Sequence, residues 1–197
     1  GGPPAYPPSP VSVITTEPRD VPIVMEYTAQ TAGYREVEVR ARVSGILLER
    51  RYEEGSAVSK GDLLFRIDPE PYRAAAAQAR AELGVEQARL DEARRQRDRI
   101  VPLFEKNAAS QRQRDEVVSQ FEVAQANVEA ARARLRTAEL DLGYTDVRAP
   151  IGGLTSREVR SEGSLVAAGT ESSLLTRIVQ TDPIYVEFTI PATDAVL

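Results

Sequence analysis

Two rhythms of hydrophobic and polar positions organise this chain. In Val37-Glu38-Val39-Arg40-Ala41-Arg42-Val43 apolar and charged residues alternate, which predicts a strand with one face buried. Residues 11–43 as a whole are rich in β-branched side chains and read as strand-forming. The same period of two returns in Ile184-Tyr185-Val186-Glu187-Phe188-Thr189-Ile190, which Pro191 closes. Residues 1–10 (GGPPAYPPSP) form neither helix nor central strand, because proline removes donors and fixes φ; they are expected to be an extended linker.

Between the β-like ends the rhythm becomes helical. A seam with alternating steps of four and three passes through Tyr72, Ala76, Ala79, Leu83, Glu86, Leu90, Ala93, Arg97, Ile100 and Phe104. Glu86 and Arg97 interrupt it. A second seam, without interruption, runs through Val117, Phe121, Ala124, Val128, Ala131, Leu135, Ala138 and Leu142. Pro71 suits a first helical turn. Ser110-Gln111-Arg112-Gln113 has the spacing of a capping box at the start of the second helix, and Gly143 is expected to end it. Pro102 and the polar Lys106-Asn107 stretch are expected to force the turn between the helices. A short connection makes them antiparallel neighbours, in a rod of roughly 45–50 Å.

The stretches that flank the helical segment carry an internal repeat. Val39-Arg40-Ala41 returns as Val147-Arg148-Ala149, 108 residues later, and at that offset Gly45 matches Gly153 and Glu54-Gly55-Ser56 matches Glu162-Gly163-Ser164. Val58 and Gly61 match Val166 and Gly169. After a three-residue insertion, Leu63-Leu64-Phe65-Arg66-Ile67 resembles Leu174-Leu175-Thr176-Arg177-Ile178. Each unit is too small to bury its own face, so the two are expected to pair around one core.

Composition then removes function classes. There is no Cys and no His, which leaves no thiol nucleophile, imidazole base or zinc-ligand set of the usual kind. No carboxylates fall into a recognisable acid–base or metal arrangement, so neither catalysis nor a cofactor is expected. A net charge of −5 weighs against nucleic acid as a partner. Residues 70–142 hold thirteen basic and thirteen acidic side chains, which suits a helical surface laced with ion pairs.

Matched β half-motifs flanking a coiled-coil hairpin resemble the periplasmic adaptors, or membrane fusion proteins, of resistance-nodulation-division tripartite efflux pumps. The resemblance implies an elongated α+β fold. Residues 37–69 and 144–179 would be the halves of a lipoyl-like β-sandwich, with residues 70–143 as an inserted α-hairpin. Residues 11–36 and 180–197 would be part of a β-barrel domain, whose remaining strands and the family's membrane-proximal domain are not in this sequence. At the hairpin tip such adaptors carry an R-x3-L-x6-S pattern for docking TolC-like outer-membrane channels, and Arg99, Leu103 and Ser110 have that spacing. Each also has a plainer reading: Arg99 as part of a solvated face, Leu103 as packing inside the turn, Ser110 as a helix cap.

By that resemblance the partners are an inner-membrane proton-driven efflux transporter, a TolC-like outer-membrane channel and further copies of the chain, in a hexameric ring. The location is the periplasm of a Gram-negative bacterium, with an N-terminal lipid or segment outside this sequence as the inner-membrane anchor. Two alternatives share features with this reading. An adaptor of an ABC exporter or type I secretion system has the same architecture. A biotinyl or lipoyl carrier resembles the half-motif, but presents its modified lysine on the turn joining the halves, where this chain inserts its helices; Lys60 and Lys106 lie elsewhere.

Overall fold

The computed structural model describes residues 1–2, 10–20 and 26–191. Most of the expected linker at 1–10, residues 21–25, and the end of the expected barrel segment lie outside the described residues. The chain divides into two compact units, residues 31–186 and residues 1–30 with 187–197. The strand-forming reading of residues 11–28 needs correction. The described residues there form no strand, and Val11, Val13 and Ile14 are 81%, 83% and 89% exposed. β-branched composition favours a strand only where a partner strand and a packed face exist.

The first strands are β1 (Ala29–Arg40), β2 (Gly45–Arg50), β3 (Ala57–Val58) and β4 (Leu63–Ile67). Two long helices follow, α1 (Glu70–Glu105) and α2 (Gln111–Gly143). The chain then returns through β5 (Asp146–Arg148), β6 (Gly153–Thr155), β7 (Leu165–Val166) and β8 (Leu174–Phe188). The boundaries expected at 36/37 and 179/180 fall inside the continuous strands β1 and β8.

The repeat does more than place two similar halves side by side. The strands form two four-stranded sheets, in the orders β1-β8-β6-β3 and β5-β4-β2-β7. Applying the repeat turns β1, β2, β3 and β4 into β5, β6, β7 and β8, and so turns one sheet order into the other. Each sheet therefore takes two strands from each half, and the halves are interleaved. The contacts are reciprocal: Gly45 pairs with Val166 as Val58 pairs with Gly153. The Leu47 N–H donates to the Ser164 carbonyl at 2.9 Å, and the Thr155 N–H donates to the Ser56 carbonyl at 3.0 Å. Gly55 and Gly163 both sit at left-handed φ, 75° and 83°, where a side chain is strained.

One core lies between the sheets. Leu47, Leu64, Phe65 and Ile67 from the first half and Val166, Leu175 and Ile178 from the second are all fully buried in it. Burial of each such side chain contributes about 1.5–3 kcal/mol. The symmetry of the core is broken beside Tyr52. Tyr52 and Phe65 meet edge to face, 5.3 Å between ring centres, where the second half has Arg160 and Thr176. Thr176 is fully buried, and its hydroxyl donates to the Ser156 carbonyl at 3.0 Å.

α1 and α2 pack along the seams read from the sequence: every seam position, Glu86 and Arg97 included, is buried or half-buried. Their contacts run in opposite senses. Arg80 pairs with Glu139 at 2.6 Å near one end, and the Arg97 guanidinium lies 4.0 Å over the Phe121 ring toward the other. That stacking explains how an arginine holds a seam position. Glu86 is compensated by Arg89 at 2.7 Å.

The helices end at the expected Lys106-Asn107 stretch and at Gly143, but two details differ. Pro102 lies inside α1, where its missing N–H forfeits one intrahelical bond. Gly143 is the last helical residue of α2, and Tyr144 caps the helix at φ −76°, so no left-handed glycine is used. At their bases the helices are tied to the strands. The Asp68 carboxylate accepts the Glu70 N–H at 3.0 Å, the Tyr72 hydroxyl donates to the Ser44 carbonyl at 2.6 Å, and the Ile67 N–H donates to the Thr145 carbonyl at 2.8 Å.

Candidate partner-docking site

The turn between α1 and α2 is built by capping at both ends. α1 stops because Asn107 adopts left-handed φ, 58°. Its N–H donates to the Phe104 carbonyl at 2.9 Å, and the Ala108 N–H reaches back to the Leu103 carbonyl at 2.8 Å. This is a Schellman end, with asparagine in the place usually taken by glycine. On the other side, the Ser110 hydroxyl accepts the Gln113 N–H at 3.2 Å, while the Gln113 side chain accepts the Ser110 N–H at 2.9 Å. The capping box expected from the sequence is therefore formed, and it satisfies two donors that the helix start leaves without partners.

These caps fix where the three tip residues sit. Arg99 and Leu103 are four apart on α1 and so share a helical face; both are exposed, Leu103 at 39%. Arg99 forms no ion pair among the described residues. Its neighbour Arg95 does: with Gln96 it hydrogen-bonds Glu92 and holds that carboxyl below the usual range, while Arg99 adds a weaker electrostatic pull. Ser110 is exposed and its side chain is spent on the cap. No hydrogen bond among the described residues links Arg99 to Ser110. Among the described residues neither Arg99 nor Arg112 forms an ion pair, and on α1 the rigidly capped turn presents the Arg99 guanidinium beside the apolar Leu103. Phe104, half-buried, closes it from inside beneath Arg114, 5.4 Å away.

Lys60 stands exposed in the turn of residues 59–62, where the Asp62 carboxylate accepts the Ser59 N–H at 2.8 Å. The junction of the halves, where a carrier would present its lysine, is occupied by α1 and α2. No cluster of Asp and Glu suited to a metal ion occurs among the described residues, and no described helix is long and apolar enough to cross a membrane. Sequence reasoning missed Arg42 and Tyr144: the Arg42 guanidinium lies 3.7 Å over the Tyr144 ring at the base of α2. The only signal available was the break in the repeat, where Arg42 corresponds to Pro150.

Comparison with known proteins places this geometry. The family described as "RND MFP, barrel-sandwich hybrid domain" matches residues 35–178. The efflux pump periplasmic linker BepD of Brucella suis is 44% identical over 189 residues, 96% of this chain and 48% of that protein. The multidrug efflux pump subunit AcrA of Escherichia coli K12 is 36% identical over 184 residues, 93% of this chain and 46% of that protein. Among solved structures, MacA from Actinobacillus actinomycetemcomitans superposes with a TM-score of 0.62 at 26% identity, covering 86% of this chain and 57% of that one. The chain spans about half the length of the curated relatives it matches.

Proposed function

The chain belongs to the membrane fusion proteins of resistance-nodulation-division systems, and from that premise we propose that it acts in a periplasmic adaptor. In this reading the interleaved sheets are a split lipoyl-like sandwich, and α1 with α2 is the coiled-coil hairpin inserted at its midpoint. The adaptor links an inner-membrane proton-driven transporter to a TolC-like outer-membrane channel, with several copies packed in a ring, for export of drugs or other small molecules. Its contribution is geometric: it holds the partners in register. The names carried by the similar proteins, periplasmic linker and efflux pump subunit, support the reading.

The observation that carries the docking assignment is the tip itself. Exposed Leu103 and unpaired, exposed Arg99 share one face of the last turns of α1. By helix rise, 36 residues extend about 54 Å from the strands. An apolar knob beside a guanidinium fork fits a protein surface that offers a shallow pocket and backbone carbonyl or carboxylate acceptors. Ser110 serves the site by fixing the turn. Arg99→Asp and Leu103→Asp, placed in the whole adaptor, should each abolish efflux while leaving helix content and expression unchanged. Undiminished efflux by both variants at normal expression removes the tip from the mechanism.

A further inference from the structure

Three local weaknesses of α1 and α2 fall at one level of the helix pair. Gly84 lies in the interior of α1, where glycine destabilises a helix relative to alanine. A β-carbon there would meet no side chain or neighbouring segment within 4 Å, so packing does not require the glycine. Two residues on, Glu86 places a carboxylate in the seam. Arg89 compensates one of its oxygens, while Oε2 is buried without a hydrogen-bond partner among the described residues, which leaves its desolvation unrepaid. On α2 the Thr137 hydroxyl donates to the Ala133 carbonyl at 3.2 Å, a back-bond that weakens and often bends a helix. Arg80 meets Glu139, and Arg97 lies over Phe121. The turn at 133–137 is therefore level with residues 81–86, and these two cross-helix contacts stand on either side of the weak level.

We propose that residues 82–88 of α1 and 130–137 of α2 form a compliant joint, about which the tip half of the helix pair bends relative to its base. Both helices run through it unbroken, so bending strains backbone hydrogen bonds at that level without dividing the rod. By helix rise the joint stands about 20–25 Å from the start of α1, with about 30 Å of α1 beyond it. A bend of about 10° there carries the tip by about 5 Å over that length. The joint belongs to the helix pair alone, and its test does not depend on what meets the tip.

Native-state hydrogen exchange of the 197-residue chain, read amide by amide by NMR, tests the joint. Protection of residues 82–88 and 130–137 is expected to be about tenfold lower than that of residues 94–100 and 118–124. Gly84→Ala with Glu86→Leu should raise protection at the joint about tenfold and leave residues 94–100 within about twofold, because the changes act on local opening. Gly84→Ala alone should supply part of that gain. Amide residual dipolar couplings read the bending itself: the tip half, residues 89–129, should align less strongly than the base, and the double variant should equalise the two. Uniform protection along the pair, protection unchanged by the double variant, or equal alignment of the two halves in the unaltered chain would each overturn the proposal.

Discussion

Arg50 and Glu158 occupy the same position in the two halves of the repeat, and they form an ion pair with each other at 3.1 Å. A residue that faces its own counterpart marks the axis relating the halves. In a true two-fold dimer such a position places like against like; here the two copies have diverged to opposite charge. The surroundings keep the symmetry. The Arg50 N–H donates to the Glu162 carboxylate at 2.7 Å, and the Glu158 N–H donates to the Glu54 carboxylate at 3.1 Å. The guanidinium lies off the hydrogen-bond axis of its partner oxygen, so the pair acts through charge.

Arg50→Glu alone should therefore place two carboxylates on the axis and destabilise the fold by about 1–2 kcal/mol, and Glu158→Arg should do the same with two cations. The exchanged double variant should recover most of the loss, because it restores one cation and one anion on the axis. Urea unfolding of the four proteins measures it. Additive losses in the double variant would show that the pair is not coupled.

The glycines of the repeat differ in what they protect. Gly55 has open space around its α-carbon and needs glycine only for its left-handed φ. A β-carbon on Gly153 would instead overlap the backbone carbonyl of Val179, which cannot rotate away. Gly55→Ala should cost about 1–2 kcal/mol, and Gly153→Ala should cost more, about 3 kcal/mol or above. Urea midpoints of the two variants give the order directly. The reverse order would place the close approach elsewhere.

Tyr52 predicts an alkaline response. Burial, the largest influence on it, raises its phenol above the ordinary value. A group whose folded pKa is raised binds its proton more tightly in the folded state, so its contribution is complete below the ordinary tyrosine value and is lost as pH climbs from there through the raised one. Phenolate absorbance should contain a late step that Tyr52→Phe removes, and stability of that variant should fall less steeply through the same range. A late step that survives Tyr52→Phe would assign it to another tyrosine.

Much of this fold was legible because two of its signals are periodic. The seam positions from Tyr72 to Leu142 followed from helical spacing alone, including Glu86 and Arg97, whose compensating partners Arg89 and Phe121 the sequence does not reveal. The matched glycines announced a repeat, yet equivalence says nothing of pairing, so the exchange of strands between sheets was invisible. Stops were read in part. The Lys106-Asn107 stretch does turn the chain and α2 does end at Gly143, but Pro102 lies inside α1 and Tyr144, not a left-handed glycine, caps α2, because backbone geometry at the cap decides and several residues can supply it. Val11, Val13 and Ile14 had strand composition without a partner strand. The exposure of Arg99 and Leu103 depends on which helical face the seam buries, which the spacing does fix.

In the adaptor role proposed above, the end of the helix pair, and not its length, would meet an outer-membrane channel. A photo-crosslinking amino acid placed at Leu103 in the whole adaptor, in cells that carry its pump and channel, tests this directly. Val85, exposed at 51% in the middle of α1, is the matched control. A crosslink to the outer-membrane channel is expected from position 103 and none from position 85. A channel crosslink from 85 with none from 103 would contradict it.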